Sequence, residues 1–236
     1  MAYNIYYNNK SNRDLGIEVV KRPYIPFPEK NIKSIDIPGR DGSYYVDNGS
    51  YNDMVISIDF NFVEDRVDDI RERIREIKHY FEDKIDNRLF LSDNLDTFFR
   101  VRKVELDNIS YEDFYEIQQF TVDFTVEAYE YTLNGQNEIK ATNEIFNQFD
   151  ISKPTYRIVG SGTCYLTING NKIKCIVDKE LTIDTDNDKI LDSNKELTIG
   201  KTNIKEMKDL YLQSGKNTLS ITNNFVLYVK TNFRTI

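Results

Sequence analysis

The segment Met54-Val-Ile-Ser-Ile-Asp-Phe-Asn-Phe62 alternates with a period of two: Met54, Ile56, Ile58, Phe60 and Phe62 fall on one face, Ser57, Asp59 and Asn61 on the other. A helix cannot use that pattern, because its side chains share a face every three or four residues, whereas a strand sends successive side chains to opposite sides. Phe120-Thr-Val-Asp-Phe-Thr-Val-Glu-Ala128 repeats it, with Phe120, Val122, Phe124, Val126 and Ala128 inward and Thr121, Asp123, Thr125 and Glu127 outward. One apolar face and one polar face describe an antiparallel sheet that is wet on a single side. The chain is committed to β structure around at least these two strands.

Between them the period changes. Val67, Ile70, Ile74, Ile77 and Phe81 recur at helical spacing, Asp69, Glu72, Arg73 and Glu76 take the opposite side, and Glu64-Asp65 complement the positive end of the dipole. The spacing predicts one amphipathic helix over about residues 65–86, roughly five turns. His79 lies in its last turns beside Tyr80 and off the apolar stripe, and reads as a semi-exposed residue at the helix C-terminus.

Composition shifts at Leu133-Asn-Gly-Gln-Asn137, and Asn143 to Lys153 is polar apart from Ile145, Phe146, Phe149 and Ile151. This places a domain junction near Asn147, giving an N-terminal β domain with a helix over 1–147 and a second domain over 148–236. The second is strand-like throughout: Thr155 to Val159, Thr163 to Ile168, Lys172 to Val177, Glu180 to Asp184, Glu196 to Ile199, Thr218 to Thr222 and Phe225 to Lys230. Short strands separated by Asn, Asp and Gly predict a small β-sandwich or jelly roll. The fold class is mainly β, all-β but for one amphipathic helix.

Asn169-Gly170 is a type I′ hairpin signal, since both central residues of that turn need positive φ. A two-residue loop there sets Ile168 opposite Asn171, Leu166 opposite Ile173 and Cys164 opposite Cys175. Counting from the turn puts the cysteines at a hydrogen-bonded pair, where Cα atoms are ~5.5 Å apart rather than ~4.5 Å, a poor geometry for a cross-strand bridge. We therefore expect two reduced, buried thiols packed as small hydrophobes.

Little in the chain points to catalysis. It has 236 residues, 31 Lys+Arg against 39 Asp+Glu, one His, two Cys and no Trp. A single histidine removes most zinc sites and leaves Ser-His-Asp or Cys-His chemistry dependent on one residue. Asp184-Thr-Asp-Asn-Asp188 imitates the opening of a calcium loop, but Lys189 and Lys195 stand where an EF-hand needs Gly and Glu. Gly160-Ser-Gly162 lacks the helix and Lys-Ser/Thr of a phosphate loop and reads as a bend or bulge. No enzyme, metal or cofactor is expected. The acidic balance argues against nucleic acid as main partner; the N-terminus lacks the basic and apolar regions of a secretory signal, no stretch reaches the ~20 apolar residues of a membrane span, and folding in a cytoplasm is expected.

In Ile35-Asp-Ile-Pro-Gly-Arg-Asp-Gly-Ser-Tyr44, the turn formers Pro38-Gly39 and Asp41-Gly42 project Arg40 from a tight loop between strands. Arg40 and Asp41 make this a candidate interaction loop. Its context adds to it. Asp14-Leu-Gly-Ile-Glu-Val19, the prolines Pro23, Pro26 and Pro28, Ile37-Pro-Gly-Arg-Asp-Gly42, Tyr51 and the strand ending Phe60-Asn-Phe62 follow one another in an order that resembles the N-terminal half of siphophage distal tail proteins, usually called Dit. Pro154-Thr-Tyr-Arg-Ile-Val-Gly-Ser-Gly162, Leu166-Thr-Ile-Asn-Gly170, Leu181-Thr-Ile-Asp184 and Leu210 to Asn217 resemble that family's C-terminal domain.

The resemblance implies a structural, non-enzymatic virion protein at a tail tip, assembled in the bacterial host cytoplasm. It implies a homohexamer ring built from a tail-tube-like N-terminal domain, with a galectin-like C-terminal β-sandwich projecting outward. Its implied partners are the tail tube protein, the tail-associated hub or tip protein and receptor-binding proteins, with DNA only in transit through the ring and no membrane; a channel lined by carboxylates would repel that DNA. Two rivals stand beside this reading. One is a carbohydrate-binding β-sandwich that recognises host surface glycans through exposed tyrosines such as Tyr165; the other is a hydrolase using paired carboxylates.

Overall fold

The computed structural model describes residues 3–63, 67–83, 85–107 and 117–236, with the side chains of Val67, Asp68 and Ile117 left aside. It is mostly β, 55% strand against 11% helix. The chain forms two compact units, Met1–Glu130 with Ile236, and Tyr131–Thr235.

The first unit contains β1 (Ile5–Tyr7), β2 (Lys10–Ser11), β3 (Glu18–Val19), β4 (Lys30–Ile35), β5 (Tyr44–Tyr51), β6 (Met54–Val63), α1 (Val67–Glu82), β7 (Arg88–Leu91), β8 (Asn94–Leu106) and β9 (Ile117–Thr132), the last ending just past the unit boundary. Its main sheet has the order β2-β1-β7-β8-β9-β6-β3. The two alternating segments seen in the sequence pair antiparallel along their whole length, from Met54 opposite Val126 to Val63 opposite Ile117. Their apolar rows face the core as expected: Ile56, Ile58, Phe60, Val122, Phe124 and Val126 are buried and pack with Ile77 and Phe81 of α1. Phe60 stacks on Phe120 with ring centroids 5.4 Å apart, and Phe81 meets both.

The helix is shorter than its apolar spacing predicts. Residues 64–66 and 84 lie outside the described residues, and the helix ends at Glu82 instead of running to 86. The cause is Asn8, at φ +48. Its buried amide donates to the carbonyls of Tyr80 and Asp83 and accepts from the Ile85 and Asp86 N–H groups, at 3.2 and 3.0 Å. One side chain thus satisfies the carbonyls that a helix terminus leaves open and turns the chain toward β7. Tyr80 is buried against Tyr7 and Phe81; His79 is exposed.

The second unit contains β10 (Glu138–Lys140), β11 (Glu144–Asn147), β12 (Thr155–Ile168), β13 (Asn171–Asp184), β14 (Lys189–Leu191), β15 (Gly215–Ile221), β16 (Val226–Lys230) and β17 (Arg234–Thr235). Its sheet runs β10-β16-β12-β13-β14, with β15 pairing both β11 and β12. Because β10 pairs β16 and β11 pairs β15, residues 131–147 belong to this unit, and the junction expected near Asn147 falls inside it. Asn147 is fully buried, its side chain bonded to the Phe149 N–H and the Asp150 carbonyl.

Four expected strands are really two. β12 and β13 form one hairpin of fourteen residues per strand, unbroken in register from Thr155 opposite Asp184 to Ile168 opposite Asn171. Gly160-Ser-Gly162, expected as a bend or bulge, is continuous strand inside β12, and the ring of Phe225 lies where a Cβ on Gly160 would stand. The segment expected as a strand at Glu196 to Ile199 makes only an isolated bridge, Leu191 with Leu197, and Ile199 is 99% exposed.

Candidate functional site

The largest apolar exposure in the first unit begins in the proline-rich segment, where Tyr24 is 75% and Phe27 87% exposed. Pro23, Pro26 and Pro28 fix φ and remove donors, so this stretch takes no place in a ladder and shows its aromatic side chains to solvent. It leads into β4 and β5, a two-stranded sheet of their own. Pairing sets Ile35 opposite Tyr44, Ser34 opposite Tyr45 and Lys33 opposite Val46. Ile35, Tyr44 and Val46 therefore share one face and Ile32 and Tyr45 the other, and Ile32, Ile35, Tyr44 and Tyr45 are all exposed. A lone two-stranded hairpin is marginal in water, so an arm with apolar residues on both faces is a surface awaiting a partner.

Arg40 and Asp41 sit at the tip of this arm. The Arg40 N–H donates to the Ile37 carbonyl at 3.2 Å, Gly39 and Gly42 take φ +80 and +78, and the Ser43 hydroxyl donates to Asp36 at 2.6 Å to close the base of the loop. Nothing lies within 4 Å of a Cβ placed on either glycine, so both are needed for backbone conformation alone. Lys30 pairs with Asp47 at 3.0 Å across the arm, which holds the Asp47 carboxyl below and the Lys30 ammonium above their ordinary ranges; for Asp47 the larger cause is the Gly49 N–H it accepts.

The remaining candidates are structural. His79 opens on a groove in which two of the acids are engaged: Asp14 accepts from the Ser11 N–H at 2.8 Å, and Glu76 pairs with Arg73 at 2.9 Å. Asp184 accepts from the Asp186 and Asn187 N–H groups, both at 3.1 Å, so its carboxylate caps its own turn. Among the described residues no three His, Cys, Asp or Glu side chains cluster as a metal site, and no helix is long and apolar enough to cross a membrane. Cys164 and Cys175 are directly opposed, fully buried and free. Burial pushes both thiols up, Cys175 to about 12, where the neighbouring Cys164 adds to the effect. The turn beyond them has Asn169 at φ +48 and Gly170 at +87, as a type I′ loop requires. Tyr165, the sugar-stacking candidate, is 43% exposed, and the Lys172 ammonium sits 4.3 Å from its ring centroid.

Residues 16–126, almost all of the first unit, match the family described as the phage tail protein RIFT-related domain. The chain has the distal-tail fold. Over 100% of both chains it is similar to the Dit protein of phage SPP1, described as a paradigm of the hub adsorption apparatus in phages that infect Gram-positive bacteria, at 14% identity and a TM-score of 0.68. A chain of the phage P2 baseplate in its activated conformation is similar at 9% identity and a TM-score of 0.51, covering 100% of this chain and 98% of that one. No curated protein sequence matches. The family and these structures are structural parts of phage tails, not enzymes, and the distal-tail fold accounts for a polar-faced sheet, an exposed arm and a separate β unit in one chain.

The sequence order found the arm loop through its turn formers. It missed the two aromatic side chains of the proline-rich stretch, although alternation of Pro with Tyr and Phe was there to be read.

Proposed function

We propose that this chain is a distal tail hub, copies of which close head to tail into a hexameric ring between the tail tube and the tail-tip or baseplate proteins. The first unit forms the ring around the channel that DNA crosses. The second unit is a galectin-like sandwich that projects outward, toward adhesins or receptor-binding proteins. The protein resides at the virion tail tip after assembly in the host cytoplasm.

The observation that supports this best is the β4–β5 arm. A ring needs two different surfaces on each subunit. The arm is one, with two open edges and apolar side chains on both faces. The edge of β6 supplies the other: β3 pairs it only at Phe60 and Asn61, which leaves Met54 to Ile58 without a neighbour on that side among the described residues. Open edges invite strand pairing, so an arm seated on the β6 edge of the next copy continues the sheet and buries Tyr44 and Tyr45. Arg40 and Asp41 at the arm tip then contact the neighbouring copy.

Light-scattering mass with negative-stain microscopy tests the ring. Rings of the wild-type protein, lost on replacement of Tyr44 and Tyr45 by Ser while circular dichroism stays unchanged, support the reading. A monomer that remains so with its tail-tube and tip partners present overturns it.

A further inference from the structure

The chain contains three Asn-Gly dipeptides, Asn48-Gly49, Asn134-Gly135 and Asn169-Gly170. Asparagine is thermolabile, most of all before glycine, whose missing Cβ leaves its backbone nitrogen open to approach the asparagine side-chain carbon. The fold treats the three differently. The Asn169 amide is clamped at both ends, its Nδ2 donating to Asn217 at 2.7 Å and its Oδ1 accepting from the Thr218 N–H at 2.9 Å, on the β12–β13 hairpin whose inward residues form the core of the second unit. Gly135 is buried in a 3₁₀ turn, its N–H donating to the Thr132 hydroxyl at 3.1 Å and its carbonyl accepting from the Asn232 N–H at 2.9 Å, with Phe233 packed against it.

Asn48 and Gly49 are exposed and lie in β5 of the arm. The pairing of β4 with β5 shifts register there: Lys30 stands opposite Tyr51 and Ile32 opposite Asp47, so Asn48, Gly49 and Ser50 share Asn31 as their single counterpart. Such a bulge breaks the ladder locally, and Gly49 takes φ +69 with nothing within 4 Å of a Cβ placed on it. The side-chain bonds at this bulge run inside the arm: the Asn48 amide donates to Asn31 at 3.1 Å and the Gly49 N–H to Asp47 at 2.8 Å. A two-stranded arm with no third strand beside it among the described residues opens at little cost, unlike a hairpin backed by a core.

We propose that Asn48 is a site of spontaneous deamidation, with water as the co-reactant, and that its products loosen the arm. When the arm opens, the Gly49 nitrogen attacks Cγ of Asn48 and forms a C–N bond; the bond from Cγ to the side-chain nitrogen breaks, and ammonia leaves with the proton that the Gly49 nitrogen gives up. Water then cleaves one or the other carbonyl bond to the nitrogen of the resulting five-membered imide, which gives aspartate or its isoaspartyl isomer without any oxidant or reductant. Both products replace the donor to Asn31 by a carboxylate, which when ionised only accepts. The isoaspartyl form also adds a methylene to the backbone of β5 and throws the residues on either side out of step with β4. The inference holds whether or not the arm joins a ring.

The test incubates the full-length protein in mildly alkaline buffer and follows amide-to-acid conversion at the three dipeptides by peptide mapping with mass spectrometry, beside a sample held in guanidinium chloride. In the native protein Asn48 should convert about tenfold or more faster than Asn134 and Asn169, and in denaturant the three rates should converge to within about threefold, since local opening is what separates them. Aged protein should show faster hydrogen exchange across residues 30–51 than fresh protein. Asn48→Gln, whose longer side chain closes a ring far more slowly, should age without that change. A native rate at Asn134 or Asn169 equal to or above that at Asn48, a spread in denaturant as wide as in the native protein, conversion that leaves exchange in the arm unchanged, or equal loosening of Asn48→Gln each overturns the inference.

Discussion

Arg157 lies over the ring of Tyr228, its guanidinium carbon 4.3 Å from the ring centroid. From there it reaches Glu138 at 2.8 Å and Glu180 at 3.1 Å, so one side chain links β10, β16, β12 and β13. The pairs are partly exposed, which keeps each at about 0.2–1 kcal/mol, with about 0.5–1 kcal/mol for the cation over the ring. Arg157→Leu should therefore destabilise the second unit by about 1–2 kcal/mol in urea denaturation. Arg157 holds the Glu138 carboxyl below its ordinary range. A lowered carboxyl stabilises the fold above its unfolded value and loses that contribution as pH falls through the folded one. The gap between wild type and Arg157→Leu should thus shrink from pH 7 to pH 3, and a gap independent of pH would refute the ion-pair share.

Asn8 makes four hydrogen bonds from a site 4% exposed. Removing its amide leaves carbonyls and N–H groups at the end of α1 without partners. Asn8→Ala should cost on the order of 2–4 kcal/mol, as buried groups left unsatisfied cost about 1–3 kcal/mol each and some regain water. Hydrogen exchange should speed at Ile85 and Asp86 first. Protection unchanged at those amides would show that the helix end is held by something else.

Gly160 and Phe225 should be coupled. A methyl at Gly160 overlaps the Phe225 ring, so Gly160→Ala should destabilise by about 1–3 kcal/mol through overpacking. Phe225→Ala vacates the space, and the double variant should lose less than the two single losses combined. Simple additivity would mean that the cost at Gly160 comes from backbone conformation alone.

The thiols give an alkaline signature. The folded Cys175 is raised to about 12 from an ordinary 9.0. A group raised on folding contributes fully below its unfolded value and loses that contribution as pH rises toward the folded one. Cys164→Ala with Cys175→Ala should accordingly show a shallower loss of stability above pH 9 than wild type. Native protein should also resist thiol reagents that titrate both cysteines after denaturation; prompt labelling without denaturant would contradict their burial.

The period-two rows of β6 and β9 were legible because a half-buried strand writes its orientation into every residue, and the Asn169-Gly170 turn fixed the register of β12 and β13 from a single dipeptide. What escaped was set by distant contacts. The helix end depends on Asn8, seventy-two residues from Tyr80. The placement of 131–147 depends on β15 and β16, late in the chain, and the continuity of β12 through Gly160 depends on Phe225. The arm loop was readable as a turn at Arg40 and Asp41, but its exposure followed only from seeing β4 and β5 paired with no other strand among the described residues.

The arm contributes almost no buried side chain to the first unit. Substitutions between Lys30 and Tyr51 are consequently screened by whatever the arm touches and hardly at all by folding. Such a segment can change quickly while the sheet behind it stays fixed, and two lineages could diverge in which subunits they accept without either having to reinvent its core.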